Sequence, residues 1–182
     1  AFAGTITTHT GTLEISDANT TDITATDITS INTTNTGTIT VANTIDINGS
    51  GSQVEAAFAA IDTNTGNATA NITGTDYTVA QLKAINNKTT GAIVLATSTS
   101  EALSGDATDI AAALAGTITY TGNVTVTDNA YTVAELVAIN AGTTGSITLN
   151  TANVALSGTV ANIKLAFAGT ITTHTGTLEI SD

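Results

Sequence analysis

The residues best suited to chemistry in this sequence are two histidines and a set of acidic side chains. His9 and His174 occupy the same place in two identical stretches, so they represent a single position of the repeat. The sequence has no cysteine, so a Cys-His pair is impossible. A single histidine position also gives no recognisable Ser-His-Asp triad. We therefore predict a surface histidine and no enzymatic activity.

Oxygen-bearing side chains gather in one predicted strand-to-helix loop and form a candidate calcium site. They are Asp17, Asn19, Asp22 and Asp27. Calcium takes about six to eight oxygen ligands, but the sequence has neither an EF-hand loop nor a glycine–aspartate nine-residue repeat. The same residue types also cap helices and form turns. We expect no cofactor, with calcium as the one candidate.

Charge and hydropathy exclude two classes of partner. Three Lys and Arg residues stand against fifteen Asp and Glu residues, for a formal net charge of −12. A nucleic-acid interface needs a basic patch, so we predict no nucleic-acid partner. No apolar run reaches the length of about 20 residues that a membrane span needs. The acidic, nearly Lys-free composition favours an extracellular or cell-surface location.

The strongest pattern is an exact duplication at the two ends. Residues 1–17 (AFAGTITTHTGTLEISD) recur unchanged as residues 166–182, a period of 165 residues. A match of this length indicates a tandem array, or a unit that continues end to end into identical neighbours. We therefore predict identical copies of the chain as its partners, either covalently continuous or stacked as separate subunits.

A shorter period of about 55 residues lies within the long one. YTVAQLKAINNKTTGAIVL, from Tyr77, aligns with YTVAELVAINAGTTGSITL, from Tyr131, and ITATDITSINTTNTGTITV, from Ile23, lies in the same register. The predicted organisation is residues 1–19 as the end of a preceding block, followed by copies at 20–76, 77–130 and 131–182.

Each copy is predicted to alternate helices and strands. Capping boxes mark helix starts at Thr24, Thr78 and Thr132. Apolar residues at helical spacing follow, and a glycine then leads an alternating strand. The seven strands begin at Gly11, Gly37, Gly66, Gly91, Gly122, Gly145 and Gly176.

Regular strand–helix alternation predicts parallel strands and, at this spacing, an α/β solenoid of short strands and helices. The alternative is a parallel β-helix, an all-β solenoid with little helix. Two details stay open: Thr117 to Thr127 also suits a hairpin, and a period could hold six small or three large coils.

The predicted assembly junction lies in the duplicated ends. A solenoid exposes apolar layers at its termini unless a cap or another copy covers them. Its predicted residues are Ala1, Phe2, Leu13, Ile15, Phe167, Leu178 and Ile180.

Phrases such as TVAELVAIN, ALSGTVANIKLAFAG and TGNVTVTD resemble repeat units of very large bacterial surface and adhesin-like proteins, cyanobacterial ones among them. The resemblance implies an extracellular structural or adhesive role without an active site. We expect a repeat segment of an extracellular filament, stalk or surface layer. The alternative is an adhesin or ligand-binding solenoid for carbohydrate, ice or mineral, presenting outward rows of threonine.

Overall fold

Short parallel strands and short helices alternate along the chain. The computed structural model describes residues 8–95, 102–116, 118 and 120–182. These residues form two units. The first comprises the described residues up to Tyr77 together with residues 84–95, and the second comprises Thr78–Lys83 and the described residues from 102 onward.

The described residues of the first unit form seven strands in two parallel sheets. Its elements are β1 (Leu13–Ile15), β2 (Asp22–Thr24), α1 (Ala25–Thr34), β3 (Ile39–Val41), β4 (Asp46–Gly49), α2 (Gly51–Ala60), β5 (Thr63–Asn64), β6 (Thr69–Ile72), the last residues of α3 (Val79–Asn86) and β7 (Ile93–Leu95). One sheet has the order β1-β3-β5, and the other has the order β2-β4-β6-β7.

The second unit contains the first residues of α3 and two further parallel sheets. Its other elements are β8 (Leu103–Gly105), α4 (Ala107–Ala113), β9 (Val124–Val126), α5 (Val133–Gly142), β10 (Ser146–Leu149), β11 (Leu156–Gly158), α6 (Val160–Ala166), β12 (Thr170–Ile171) and β13 (Leu178–Ile180). The sheet orders are β8-β9-β10-β12 and β11-β13.

We call each stretch of one helix and the short strands before it a layer. Paired strands belong to successive layers: Leu13 lies opposite Ile39, and Leu103 lies opposite Val124, offsets of 26 and 21 residues. Six helices among the described residues show that the fold is α/β and that the all-β alternative is wrong. The Thr117–Thr127 hairpin is also not found, because Tyr120 bridges in parallel to Thr143; Thr117 and Thr119 lie outside the described residues.

All seven predicted glycine-led strands are present, but the strands that lead directly into helices were not predicted. These are β2, β4, β8 and β11. They contain only three or four residues, too few for an alternating pattern to stand out from the surrounding Thr, Asp and Gly. Their pairing with the next layer, rather than their own propensity, makes them strands.

In-register aliphatic side chains form the core of each unit. In the first unit Ile47 lies between Ile23 and Ala70 on neighbouring strands, and Ile47 and Ala70 are fully buried. In the second unit, Val124 and Ile147 pair in the same way and are fully buried. Each layer therefore places one small aliphatic residue on the next, which suits a sequence rich in Ala, Ile and Val.

A buried polar corner joins α1, α3 and α5 to the glycine-led strand that follows each of them. The Thr143 hydroxyl donates to the Gly122 carbonyl of the preceding layer at 2.7 Å and accepts from the Gly145 N–H at 2.9 Å. A Cβ on Gly145 would lie 2.1 Å from the Gly122 carbonyl oxygen. The glycine is required because the backbone of the preceding layer occupies the space of any side chain.

The predicted capping boxes of α3 and α5 are formed, whereas α1 has only the half made by the Thr24 hydroxyl. The Thr132 hydroxyl accepts from the Glu135 N–H at 3.3 Å, and the Glu135 carboxylate accepts from the Thr132 N–H at 2.8 Å. Thr78 and Gln81 make the same reciprocal pair. At α1 the Thr24 hydroxyl accepts from the Asp27 N–H at 3.3 Å. These short helices begin where a side chain replaces the missing backbone acceptor.

Glu135 links the helices of two successive layers, α4 and α5. The Thr108 hydroxyl of α4 donates to the Glu135 carboxylate of α5 at 2.5 Å. Partial burial opposes ionisation of Glu135, but hydrogen bonds from Thr108 and Thr132 outweigh it and lower the pKa of this carboxyl. The carboxylate form is therefore the one that the folded chain favours.

Replacing the corner hydroxyl is expected to destabilise the second unit. Thr143→Val leaves the Gly122 carbonyl and the Gly145 N–H without their buried partner, so the free energy of unfolding should fall by about 1–3 kcal/mol. Urea denaturation followed by circular dichroism measures this loss. Thr148→Val, the same change at an exposed position of β10, is the control. Equal effects of the two substitutions would contradict the assignment.

The Glu135 contacts predict a pH-dependent contribution to stability. Because folding lowers the pKa of Glu135 from its ordinary value of 4.5, the stabilisation is present above that value and is lost as the pH falls through the folded pKa. Glu135→Gln should therefore cost about 1 kcal/mol at pH 7 and progressively less below pH 4.5. Thermal denaturation at several pH values tests this, with Glu55→Gln in α2 as the control. A cost independent of pH would be the contrary result.

Candidate functional site

The four predicted calcium ligands make protein contacts in the first unit. The Asn19 side-chain oxygen accepts from the Thr44 N–H at 3.0 Å, and an Asp22 carboxylate oxygen accepts from the Asn48 side chain at 3.0 Å. Asp27 accepts from the capping hydroxyl of Thr24 at 2.6 Å. These contacts connect layers or cap α1.

The remaining ligand, Asp17, accepts the Asn43 side-chain amide at its backbone carbonyl, at 2.8 Å. Within the part of the chain that the structure describes, no group of three or more His, Asp or Glu side chains could hold a metal ion. Calcium binding stays a prediction.

Asp128 lies in a loop analogous to this acidic one, between β9 and α5. Burial raises the pKa of the nearby Tyr131, and the Asp128 carboxylate raises it further. The Tyr131 hydroxyl donates to the Thr151 carbonyl at 2.6 Å. Tyr131 therefore stays neutral and serves as a buried hydrogen-bond donor that connects two layers.

The duplicated stretch, which we call the end segment, occupies two different environments. Its first copy (residues 1–17, described from residue 8) pairs with the layer that follows it. The Leu13 N–H donates to the Thr38 carbonyl at 2.9 Å, and the Ile15 carbonyl accepts from the Ala42 N–H at 3.2 Å. The side chains of Leu13 and Ile15 are half-buried.

The second copy of the end segment (residues 166–182) pairs with the layer that precedes it. The Thr177 carbonyl accepts from the Leu156 N–H at 2.9 Å, and the Ser181 N–H donates to the Gly158 carbonyl at 3.1 Å. β13 thereby lies beside β11 at one side of a two-stranded sheet. The same sequence thus pairs through the strand edge facing the following layer in the first copy, and through the edge facing the preceding layer in the second copy.

The two edges use different backbone groups. In the first copy, positions 13 and 15 face the following layer, whereas in the second copy Thr177 and Ser181 face the preceding layer. Thr177 and Ser181 are the counterparts of Thr12 and Ser16. Groups of alternate residues point to opposite sides of a strand, so a single end segment can hydrogen-bond on both sides at once.

The glycine of the end segment shows that the second copy has a preceding layer against it, whereas the first copy has none among the described residues. A Cβ on Gly176 would lie 2.0 Å from the Val154 carbonyl oxygen of the preceding layer. At the counterpart Gly11, the nearest described atoms are those of the His9 ring, from 3.0 Å. The first copy therefore has open space among the described residues where the second copy has a backbone neighbour.

The histidines differ between the copies in the same way. His9 Nδ1 lies 2.8 Å from the Asn35 side-chain oxygen of the following layer. His174 Nε2 lies 2.9 Å from the Val154 carbonyl of the preceding layer, and its ring packs 5.3 Å from the ring of Phe167. Both histidines are half-buried and connect layers, whereas the sequence predicted a surface residue.

The predicted junction residues separate into three groups. Ala1 and Phe2 lie outside the described residues. Leu13, Ile15 and Phe167 are half-buried. Leu178 and Ile180 are 44% and 62% exposed, although the same residues in the first copy are less exposed. Leu178 and Ile180 lie on the same face of β13, and this apolar face is exposed to solvent.

Sequence reasoning missed the contribution of α6. Val160 and Leu165 are 43% and 54% exposed, and Lys164 is exposed between them. Ile163, Ala166 and Phe167, which lie at helical spacing, are buried or half-buried, and Val160, Lys164 and Leu165 lie outside this stripe and are exposed. The sequence signal that could have indicated this exposed surface is the presence of Lys164, one of only three basic residues of the chain, next to apolar residues.

No protein-family model, curated protein or solved structure matched this chain. Among the described residues, no helix combines the length and the hydropathy needed to cross a membrane.

The two glycines of the end segment provide a matched pair of variants. Gly176→Ala should lower the free energy of unfolding by about 1–3 kcal/mol, the usual range for overpacking, because its methyl group meets a fixed backbone carbonyl. Gly11→Ala makes the same change in the same local sequence but meets only the movable ring of His9. Chemical denaturation compares them, and equal losses would show that the two environments do not differ.

Proposed function

We propose that this chain is a structural α/β solenoid segment of an extracellular filament, stalk or surface layer, and that it propagates end to end through identical copies. One observation carries the proposal: the two copies of the end segment hydrogen-bond through opposite strand edges. Among the described residues, the strand edge that is paired in the first copy is unpaired in the second copy, and the reverse holds for the other edge. A second chain with the same sequence therefore offers the matching surface at each end.

The strand pairing supports a solenoid. In each unit, paired strands come from successive layers, all pairs are parallel, and the offsets stay between 21 and 26 residues. Within each unit, a strand and helix path that repeats at a nearly constant offset is typical of a solenoid, in which each repeat contacts mainly its neighbours.

An open head-to-tail joint generates a fibre. The surfaces that meet are different edges of the same segment, so the contact is heterologous and does not close on itself as a two-fold dimer does. Covalent tandem copies and separate stacked subunits would use the same surfaces. The acidic, Thr-rich composition and the resemblance to bacterial surface repeats support an extracellular location.

A second candidate function is an adhesin or ligand-binding solenoid. It is favoured by one row of in-register hydroxyls on the second unit, since Ser104 lies opposite Thr125, which lies opposite Thr148. The corresponding row of the first unit contains Glu14 beside Thr40 and Thr63, so the array is interrupted. The filament is the better supported function.

Self-association of the 182-residue chain tests the filament. Wild-type protein should form fibres above a critical concentration, as measured by sedimentation velocity and electron microscopy. Ile180→Asp places a charge on the open apolar face of β13 and should raise that concentration at least about tenfold, the equivalent of about 1.4 kcal/mol.

The matched control is Val94→Asp, the same kind of change at a 45%-exposed residue of β7 in the first unit. It should leave assembly unchanged. Wild-type protein that stays an 18.0 kDa monomer at every concentration would overturn the proposed function.

A further inference from the structure

Resting on the proposed end-to-end assembly, we propose that each joint between two chains holds one copy of the end segment and not two. The second copy of one chain takes the place of the first copy of the next chain, which is displaced. The partner is a second copy of this chain, and the joint forms by exchange of identical segments.

The backbone hydrogen bonds fit a shared segment. A second copy already accepts from Leu156 through Thr177 and donates to Gly158 through Ser181. Its remaining groups, at Leu178 and Ile180, are those that the first copy uses toward Thr38 and Ala42 of the following layer. One segment can therefore make both sets of bonds, and both sets exist in this structure with the same sequence.

The alternative joint, in which both copies are retained and pair with each other, is less favourable. In-register stacking of two end segments places Glu14 beside Glu179 in neighbouring parallel strands, about 4.8 Å apart. Like charges directly opposite each other are destabilising. In a shared segment this glutamate lies between Ser157 and Thr40, which are its partners in the two observed pairings.

The histidine of the segment can serve both neighbours at once. The Asn35 amide nitrogen donates to the Gly37 carbonyl at 2.8 Å, so its oxygen is the acceptor for His9 Nδ1. His174 uses Nε2 toward the Val154 carbonyl. The two contacts use different ring nitrogens, and both nitrogens are donors when the imidazole is protonated.

An ion pair within the second unit indicates how helices meet at the joint. The Lys83 ammonium of α3 lies 2.5 Å from the Asp109 carboxylate of α4. Lys83 is five residues after Thr78, which caps α3, and Asp109 is three residues after Asp106, which caps α4. A lysine in the second turn of one helix thus meets an aspartate in the first turn of the next helix.

The two ends of the chain carry the same pair of positions. Lys164 is five residues after Thr159, which caps α6, and Asp27 is three residues after Thr24, which caps α1. Both side chains are exposed. If the second copy of the end segment replaces the first, α6 of one chain becomes the helix that precedes α1 of the next, and Lys164 faces Asp27 across the joint.

Exchange of identical segments involves little net change in strand bonding. Every hydrogen bond that the displaced copy loses to the following layer is remade by the incoming copy, since their sequences are the same. The free energy of the joint therefore comes from the new helix contact, where Val160, Lys164 and Leu165 become covered. Release of the displaced copy adds chain entropy.

A reversible lock on the first copy tests the exchange. The Thr12 and Thr38 hydroxyl oxygens, directly before the paired strands β1 and β3, are 2.9 Å apart, so Thr12→Cys with Thr38→Cys places two cysteines within disulfide reach. The native chain contains no cysteine, so this is the only disulfide. In the oxidised form the first copy cannot leave. We expect fibres to be lost in the oxidised form and restored by reduction.

The outcomes separate the two proposals. Fibres of the oxidised lock, as abundant as those of the reduced form, would overturn the shared segment while leaving the filament intact. Absence of fibres from both wild-type and reduced protein would overturn the filament itself. A Thr125→Cys, Thr148→Cys pair on adjacent strands of the second unit controls for disulfide formation as such, and thermal denaturation confirms that each form is folded.

Charge reversal provides a second, independent test. Lys164→Glu should raise the critical concentration about threefold, the size expected of an exposed ion pair. Asp27→Lys should do the same, and the double variant should recover wild-type assembly. Lys88→Glu, an exposed lysine of the first unit, makes the same charge change as a control. Absence of recovery in the double variant would contradict the proposed helix contact.

Discussion

The close approach of successive backbones at the glycine corners is the constraint on which the rest of this structure depends. At Gly37, Gly91 and Gly145, an added Cβ would lie 2.1 to 2.4 Å from a carbonyl oxygen of the preceding layer. No residue other than glycine fits such a space without moving the backbone. With glycine in place, short strands of successive layers come within hydrogen-bond distance, and the small aliphatic side chains behind them stack in register.

Close approach leaves buried backbone N–H and C=O groups that need partners, and the residue two positions before the glycine supplies one after α1, α3 and α5. Asn35, Thr89 and Thr143 are the buried polar residues of the described chain, and each stands two positions before a corner glycine. Each accepts a hydrogen bond from the N–H of that glycine. The side chains replace water at a turn where buried backbone groups would otherwise lack partners. The recurrence of a small polar residue two positions before glycine is therefore structural.

The two copies of the end segment also depend on strand pairing between layers, but within the described chain each of them is paired on one side only. A layer is complete only when another lies on each side, and a repeat fold that stops leaves one edge unpaired. Each copy of the end segment has only one of these two neighbours among the residues that the structure describes. The first copy pairs with the following layer, and the second copy pairs with the preceding layer. A single segment with both neighbours would have a complete set of strand bonds, which is why identity of the two copies matters more than any individual side chain within them.

The local elements follow from short-range patterns along the chain. Thr24, Thr78 and Thr132 begin helices because a hydroxyl satisfies free amide groups in the first turn, and Gly11 to Gly176 mark strands because each precedes an alternating apolar pattern. These are short-range effects, so they can be read along the chain. The exact duplication of the ends was readable directly from the sequence.

Which groups meet across layers depends on how the chain folds in space. The strands before the helices, the Thr108–Glu135 link and the opposite edges used by the two end segments depend on residues more than 20 positions apart. The sequence of the end segment is identical in both copies, so no local rule can assign it two environments. Its neighbours in space do so, because a strand forms hydrogen bonds only on the side where another strand lies.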